Sequence, residues 1–388
     1  MTRSNQSESQ LYIGLMSGTS IDGVDVALVD FSANQHKLVE SYLHPVENSV
    51  RNKLGKLCDL VSQRDMEFEF HHRIELLGEM DVIMGQVFAD SVNTFLHDFN
   101  IDKSSIIAIG SHGQTIRHQP DLQSPFTIQI GDSNMIAHRT GITTVSDFRR
   151  MDMAAGGQGA PLAPAFHEAS MRTEEENRII LNLGGIANIT FLPKDKSLDV
   201  LGFDTGTANT LLDAHYKMHH KTSNDFFDRD ANFAKRGEVD NQLLEELLKD
   251  PYFALLPPKS TGREYFSFSW LNKILDLIPR PISKEDLQAT LLEFSAKTIA
   301  DAILKLNLES FAVYASGGGM HNDFLLKRIE RYLSHPIGRT NDIGVDGDYL
   351  EAMTFAWLAH QRINNLPGNL PSVTGAKERK VLGGIYHP

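Results

Sequence analysis

The chain has 388 residues, a formal net charge of -13, 41% hydrophobic residues and 22% charged residues. That length exceeds one ordinary hydrophobic core, so two domains are expected. The acidic balance argues against a nucleic-acid or anionic-membrane partner, both of which select basic patches, and no apolar run is long enough to span a bilayer.

The first ten residues, MTRSNQSESQ, are polar and carry no leader-like run. Cys58 is the only cysteine, so no intramolecular disulfide can form, and a cytoplasmic address is expected. The stretch LYIGLMSGTSIDGVDVALVDF, Leu11 to Phe31, predicts a hairpin. Its turn holds Ser17, Gly18, Thr19, Ser20, Ile21, Asp22 and Gly23, and the chain leaves through Val24 and Asp25. Glycines and hydroxyls let backbone N–H groups approach an anion, so the turn suggests a phosphate and hence a nucleotide. Asp22 is either the Asp of an Asp-Gly turn or a carboxylate near a phosphate-bound Mg²⁺, reached through water.

Residues 47–100 carry helical periodicity, including Phe68 to Phe95. Ile106 to Gly110 is a buried-strand pattern that runs into SHGQT. His112 and Gln114 there are plain turn residues or hydrogen-bonding partners for a sugar. Thr127 to Ile130 and Ile142 to Ser146 read as further strands. Asp147 to His167, DFRRMDMAAGGQGAPLAPAFH, predicts a long irregular segment, which in a compact protein is usually functional. Arg149 and Arg150 either pair with Asp147 and Asp152 or bind an anionic substrate group.

The opening pattern then returns. Arg178 to Leu192, RIILNLGGIANITFL, is strand, glycine turn, strand. Asp199 to Tyr216 reads as strand, tight turn and helix, with Asp204 at the strand end. Lys259 and Arg263 in PPKSTGREYF are either loop residues or anion binders. Leu287 to Leu306 and Glu351 to Arg362 predict helices, and Ala312 to Ser316 a strand entering Gly317, Gly318 and Gly319. The echo near the start of each half fits two α/β domains of related architecture with a cleft between them.

Four turns rich in glycine, hydroxyl or carboxylate groups follow strands: Ser17–Gly23, Gly184–Asn188, Asp204–Asn209 and Gly317–Asn322. Together they favour nucleotide binding. Neither GxxxxGK[ST] nor a helix-opening GxGxxG after the first strand is present, so the phosphate site would be built from hairpins. The 16 histidines are scattered or adjacent, and no HExxH or CxxC occurs, which argues against a dedicated zinc site. Asp204 by itself is either a capping or Asx-turn aspartate or a carboxylate with a chemical task.

Taken together, GLMSGTSIDGVD, GSHGQTIRH, TIQIGD, DFRRMDMAAGGQGAPLAPAFH, LNLGGIANIT, GFDTGTAN, PPKSTGRE, QATLLEFSA, GGGMHN, EAMTFAWLA and LPSVTGA resemble the anhydro-N-acetylmuramic acid kinases of bacterial cell-wall recycling. The stretches run from Gly14 to Ala376 in the family's order. The resemblance implies a two-domain, actin-like (ribonuclease H-like) α/β fold with a central cleft. Its N-terminal domain would cover 1–140, with the tail 366–388 packed back on it, and its C-terminal domain 141–365. It implies ATP and Mg²⁺ as cofactors and a reaction that opens the 1,6-anhydro bridge with water and phosphorylates O6. Gly18, Thr19, Ser20, Ile21, Asp22, Gly23, Val24 and Asp25 would match the ATP-binding stretch. GFDTG with Gly206 would match the second phosphate segment, Gly184 and Gly185 are further expected cofactor-binding residues, and Gly317, Gly318 and Gly319 would lie near the adenosine. Asp204 matches the family's catalytic aspartate and Glu351 a glutamate near the sugar. His112, Gln114, Arg149 and Arg150 complete the expected substrate set, with one of the two arginines at the lactyl carboxylate. Thr207 stands where the family usually has proline, and Ala231 where a glycine is common.

Two other functions fit the same fold. One is an ordinary sugar or polyol kinase acting on a free hydroxyl. The other is a nucleotide-gated binding or filament module, although no extra peptide-binding domain follows the core. A small-molecule sugar is the expected partner, and a homodimer is expected only from the commonness of twofold oligomers.

Overall fold

One strand order is used twice in this chain. The computed structural model describes residues 9–18, 23–32, 36–62, 70–220 and 226–388. They divide into two compact units, Met1–Ser170 with Tyr349–Pro388, and Met171–Asp348.

Unit 1 begins with β1 (Leu11–Met16), β2 (Gly23–Asp30) and β3 (Lys37–Pro45). Helices α1 (Asn48–Ser62) and α2 (Phe70–Asp98) lead to β4 (Ile106–Ser111). The hairpin β5 (Gln114–Gln119) and β6 (Phe126–Ile130), then α3 (Ser133–Thr140), lead to β7 (Thr144–Ser146). Helices α4 (Arg150–Ala154) and α5 (Ala163–Met171) end this part of the chain. Unit 2 contains β8 (Arg178–Leu183), β9 (Ile186–Leu192), β10 (Leu201–Thr207), α6 (Thr210–His219), α7 (Asn241–Leu248), α8 (Phe268–Leu275), α9 (Lys284–Leu304), β11 (Ala312–Ser316), α10 (Asp323–Leu333) and β12 (Ile337–Arg339). The chain returns to unit 1 with α11 (Leu350–Ile363), α12 (Pro371–Thr374) and β13 (Gly384–Tyr386).

In unit 1 the sheet order is β3-β2-β1-β4-β7, with β13 added beside β7. The first three strands are antiparallel, and β1-β4 and β4-β7 are parallel. In unit 2 the order is β10-β9-β8-β11-β12, with the same succession of antiparallel and parallel pairs. This duplicated three-strand meander with two parallel additions is the ribonuclease H-like, actin-like topology expected from the sequence. Parallel neighbours require helical crossovers, which explains why β1 and β8 are apolar on both faces.

Alternate residues of β1 serve opposite faces of its sheet. Ile13 and Leu15 join Met80, Met84, Phe88 and Phe95 of α2 in one core. Gly14, between them, faces α11: a Cβ there would lie 1.8 Å from the Ala352 carbonyl oxygen. Gly110, the register partner of Gly14, would come within 2.0 Å of the Phe355 carbonyl. The helix backbone therefore rests directly on a glycine pair. The core of unit 2 gathers Ile179, Leu181 and Leu183 of β8 with Leu291, Phe294 and Ile299 of α9.

The compact units divide near 170 and 348, whereas the sequence suggests 140 and 365. Pairing of β7 with β4 keeps the segment after 140 in unit 1, and the seating of α11 on β1 and β4 recruits 350–363. The tail joins the same sheet, where β13 runs antiparallel to β7. The stretch Asp147 to His167, read as irregular, contains α4 and the start of α5. No helix among the described residues is long and apolar enough to cross a membrane.

Candidate active site

Asp204 sits inside β10 rather than at its end, since the strand continues to Thr207. The β9–β10 register slips between Asp204 and Gly206, so Thr205 is the extra residue of a bulge. Gly206 takes a φ of 139°, which disfavours any side chain. The loop of PPKSTGREYF folds back onto this bulge. The Asp204 N–H donates to the Lys259 carbonyl at 3.0 Å. The Thr261 N–H donates to Asp204 Oδ2 at 2.9 Å, and the Tyr252 hydroxyl donates to the Asp204 carbonyl at 2.7 Å. Burial pushes the Asp204 carboxyl up to about 7, against the Thr261 N–H and the Lys259 charge, while Glu264 adds to the rise. One carboxylate oxygen is thus held by the backbone, and the group titrates where a general base is useful.

The glycine turns of unit 2 come together around Asn209. Its N–H and its Nδ2 both donate to the Gly184 carbonyl, at 3.2 and 2.8 Å. The N–H groups of Ala208 and Thr210 donate to the Gly185 carbonyl, each at 3.0 Å. Gly319 packs so tightly that a Cβ would meet Leu183 at 2.7 Å and Asn209 Nδ2 at 2.9 Å. Gly317 has a φ of 75° and would meet Asn182 Oδ1 at 2.4 Å. A Cβ on Gly185 would meet Thr210 Oγ1 at 2.8 Å and Arg263 Nη2 at 3.3 Å. Gly318, by contrast, faces open space. It lines a cavity of about 430 Å³ with Gly319, Asn209, Asp213, Phe227 and Asp228. Burial and Asp228 push Asp213 up to about 7, against the pull of Arg263. Thr210 Oγ1 and Thr261 Oγ1 are buried without a hydrogen-bond partner among the described residues.

In unit 1 the described part of the β1–β2 turn is tied down by Gln114. Ser17 Oγ donates to Gln114 Oε1 at 2.7 Å and contacts the Gly23 carbonyl at 3.3 Å, while Gln114 Nε2 reaches the Gly18 carbonyl at 3.4 Å. Gly23, Val24 and Asp25 open β2. Thr19, Ser20, Ile21 and Asp22 lie outside the described residues.

Of the expected substrate residues, His112 and Arg149 join in a second network of unit 1. Arg149 donates to His112 Nε2 from Nη2 at 2.8 Å and from Nε at 3.2 Å. Its Nη1 donates to the Gly159 carbonyl at 2.8 Å. The Gly159 N–H donates to Asp152 Oδ2 at 2.8 Å. The other oxygen of this fully buried carboxylate accepts from Asn369 and Thr374, each at 2.7 Å. Burial lowers Arg149 to about 10, with Glu351 and then Asp152 pulling the other way. Glu351 is exposed in the first turn of α11, where a negative charge suits the helix dipole. Arg150 instead pairs with Asp147, Nε to Oδ1 at 2.7 Å and Nη2 to Oδ2 at 2.6 Å. Arg149 is thus engaged inside the fold, and Arg150 is paired at the surface. His112 and Arg150 line a polar cavity of about 320 Å³ together with Ser111, Asp81, Asp132 and Asp147.

The model of the anhydro-N-acetylmuramic acid kinases matches residues 10–388. The chain belongs to that family. It is 46% identical to an anhydro-N-acetylmuramic acid kinase of Pasteurella multocida over 382 residues, covering 97% of this chain and 96% of the relative. Anhydro-N-acetylmuramic acid kinases of Coxiella burnetii and Xylella fastidiosa are each 47% identical, over 377 and 386 residues. The first covers 97% of both chains, the second 98% of this chain and 97% of the relative.

The two positions where the resemblance leads to an expectation of proline and glycine, Thr207 and Ala231, have structural readings. Thr207 is fully buried, and its hydroxyl meets Ser295 Oγ at 3.3 Å, a contact proline could not make. Ala231 adopts a φ of 52°, which is where glycine is favoured. The left-handed region costs an L-residue roughly 1–2 kcal/mol. The Ala231 methyl lies in the core of unit 2, where burial returns about 0.8 kcal/mol.

Sequence reasoning did not single out Tyr252, Thr261, Asp213, Ser111 or Asp152 as site residues. Tyr252 and Thr261 act on a residue 48 and 57 positions away, and no local pattern signals that. The glycine-rich turn before Gly159 hints at Asp152, because a Cβ on Gly157 would lie 2.3 Å from its carboxylate.

Proposed function

We propose that this protein is an ATP-dependent kinase that opens the anhydro bridge of 1,6-anhydro-N-acetylmuramic acid and phosphorylates O6. The products are N-acetylmuramate 6-phosphate and ADP, and the role is cell-wall recycling. The observation that carries the reading is Asp204, on a bulge inside a family-matching segment, with one oxygen held by the Thr261 N–H and a carboxyl pushed up to about 7.

Asp204 takes a proton from the water that attacks the anomeric carbon. The anomeric carbon's bond to O6 breaks, and the electron pair passes to O6, which becomes the acceptor of the phosphoryl group. Thr261 fixes Oδ2 and leaves Oδ1 to receive the proton. The Thr261 N–H and then Lys259 limit the rise that burial imposes on this carboxyl. Base catalysis of this sort contributes roughly 10²–10⁴-fold. ATP supplies the phosphoryl group, with Mg²⁺ neutralising its charge. Gly184, Gly185, Gly206, Thr210 and Arg263 would border the phosphates, and residues 18–25 of unit 1 are the other proposed ATP-binding stretch. The Gly317–Gly319 segment and the adjoining cavity would take the adenosine. Asp22 would approach Mg²⁺ through water. His112, Gln114, Arg149, Arg150 and Glu351 make up the proposed sugar-binding set.

Coupled ADP-release assays with 1,6-anhydro-N-acetylmuramic acid and a panel of open-ring sugars test this reading. Turnover should depend on the anhydro sugar. In ¹⁸O-labelled water the label should enter C1 in product analysed before anomeric exchange. Unlabelled product would instead mean an ordinary sugar kinase, and ATP turnover indifferent to sugar a nucleotide-gated module.

A further inference from the structure

The loop that orients Asp204 has little regular structure of its own. Between the turn Pro251–Ala254 and the start of α8 at Phe268, the chain runs through PPKSTGREYFS. Holding such residues in one conformation costs backbone entropy, and the cost of docking the loop falls when its two ends are already fixed.

Asp250 holds both ends. It follows α7, whose Leu243 and Leu247 lie in the core of unit 2. At the loop's entry its Oδ1 accepts from the Tyr252 N–H at 2.9 Å, and at the loop's exit from the Tyr265 hydroxyl at 2.8 Å. Its Oδ2 accepts from Trp270 Nε1 of α8 at 2.7 Å. Tyr252 carries this anchor to the base. Its hydroxyl donates to the Asp204 carbonyl at 2.7 Å, and its own carbonyl accepts from Lys259 Nζ at 3.2 Å. Burial, then Asp204 and Tyr265, push the Tyr252 phenol far up, so it stays a donor.

The position calls for a carboxylate. Three donors arrive at two oxygens, and an ionised carboxylate accepts at both and donates at neither. An asparagine would turn its NH2 toward either the Trp270 Nε1–H or the Tyr252 N–H, and neither of those can accept. Aromatic packing at the same place does not depend on that charge. Phe266 is fully buried, with the Trp270 and Phe253 rings centred 5.1 and 5.7 Å from its own. The carboxylate can therefore be altered while the packing is kept.

We propose that Asp250 is a positioning residue for the base: its carboxylate closes the 251–267 loop and so holds the Thr261 N–H and the Lys259 carbonyl against Asp204. This rests on the sugar-kinase reading above.

A double-mutant cycle with amide exchange tests it. Asp250→Asn should lower kcat/KM for 1,6-anhydro-N-acetylmuramic acid by about tenfold or more, as misplacement of a reacting group does. In the Asp204→Asn background the same change should cost little further, because the group it positions is already gone. In residue-resolved amide exchange of the whole protein, Asp250→Asn should cut protection at Asp204 and Thr261 by about tenfold. Protection at Leu181 and Ile189, paired in the β8–β9 ladder, should stay as it is. Tyr265→Phe removes one hydroxyl from a side chain that is 42% exposed, so folding is not at risk. It should shift kcat/KM and both amides in the same direction by a smaller factor. Equal losses in the two backgrounds would overturn the proposal. So would unchanged protection at Asp204 and Thr261, or protection lost equally at Leu181 and Ile189. Exchange needs no turnover. A protein whose two amides respond selectively but which releases no ADP with the anhydro sugar keeps this inference and loses the kinase reading. One that opens the bridge while those amides stay indifferent to Asp250 does the reverse.

Discussion

The backbone N–H of Thr261 donates to Asp204 Oδ2 at 2.9 Å across 57 residues of sequence. The same loop returns a carbonyl, that of Lys259, to the Asp204 N–H at 3.0 Å. A carboxylate placed in a strand bulge is thereby oriented by a loop that no local pattern connects to it. Orientation by backbone groups costs little flexibility, and it leaves one oxygen for chemistry.

Asp204→Asn keeps the shape and removes the proton acceptor. Turnover with the anhydro sugar should fall by on the order of 10² or more, while ATP affinity stays within a few fold. Steady-state kinetics paired with calorimetric ATP titration measure both. Turnover near the unaltered level would remove Asp204 from the role of base.

The pH dependence of kcat/KM should carry the signature of the same group in the free protein. A base must be ionised, so kcat/KM should rise with pH to a plateau, with a midpoint near 7 if Asp204 is that base. Lys259 lowers this carboxyl and Glu264 raises it. Lys259→Met should move the acid limb to higher pH, and Glu264→Gln should move it lower. Profiles of kcat/KM against pH for the three proteins decide the point. Shifts in a common direction would be inconsistent with charge coupling.

Asp213 supplies a stability test that needs no substrate. Its folded carboxyl is pushed up to about 7 from an ordinary value of 3.8. The folded state therefore holds the proton more tightly, and stability is lost as pH rises through that window. Asp213→Asn should be close to neutral below pH 4 and increasingly stabilising up to about pH 7. Above that the gain should be constant. Thermal melts at several pH values would read it, and a gain confined to acid would contradict the sign.

Glycines of the same chain should separate into packing and ligand classes. Gly14→Ala and Gly110→Ala press a methyl against the backbone of α11 and should destabilise by about 2 kcal/mol or more. Gly318→Ala meets nothing within 4 Å in the protein and should leave the melting temperature unchanged. Because Gly318 lines the proposed adenosine cavity, the same substitution should raise KM for ATP severalfold. Calorimetry and ATP kinetics on the three variants compare the classes. Equal melting temperatures across all three would refute the contact argument.

Much of the architecture was legible because it depends on local patterns. Apolar runs broken by glycine turns mark β1–β2 and β8–β9, and their echo anticipates the duplicated sheet order. Asp204 and the glycine segments were legible as motifs. The position of Asp204 within its strand was misread, because a bulge looks like a strand end: Gly206 interrupts the alternation while the pairing continues to Thr207. The unit boundary shifted for a related reason, since seating α11 on Gly14 and Gly110 is a contact between segments more than 200 positions apart.

Sequence alone determined the residue types that chemistry needs: a carboxylate beside a glycine turn, hydroxyl-rich hairpins, and the family pattern that orders them. Side-chain identity and short spacing are enough for that. Tertiary structure decided which atoms are free to act. It assigned Thr261 to hold Asp204, committed Arg149 to His112 and Arg150 to Asp147, and left the buried Ser111 hydroxyl without a hydrogen-bond partner among the described residues. Hydrogen bonding and burial are settled by what the folded chain brings within about 3 Å, and sequence distance does not encode that.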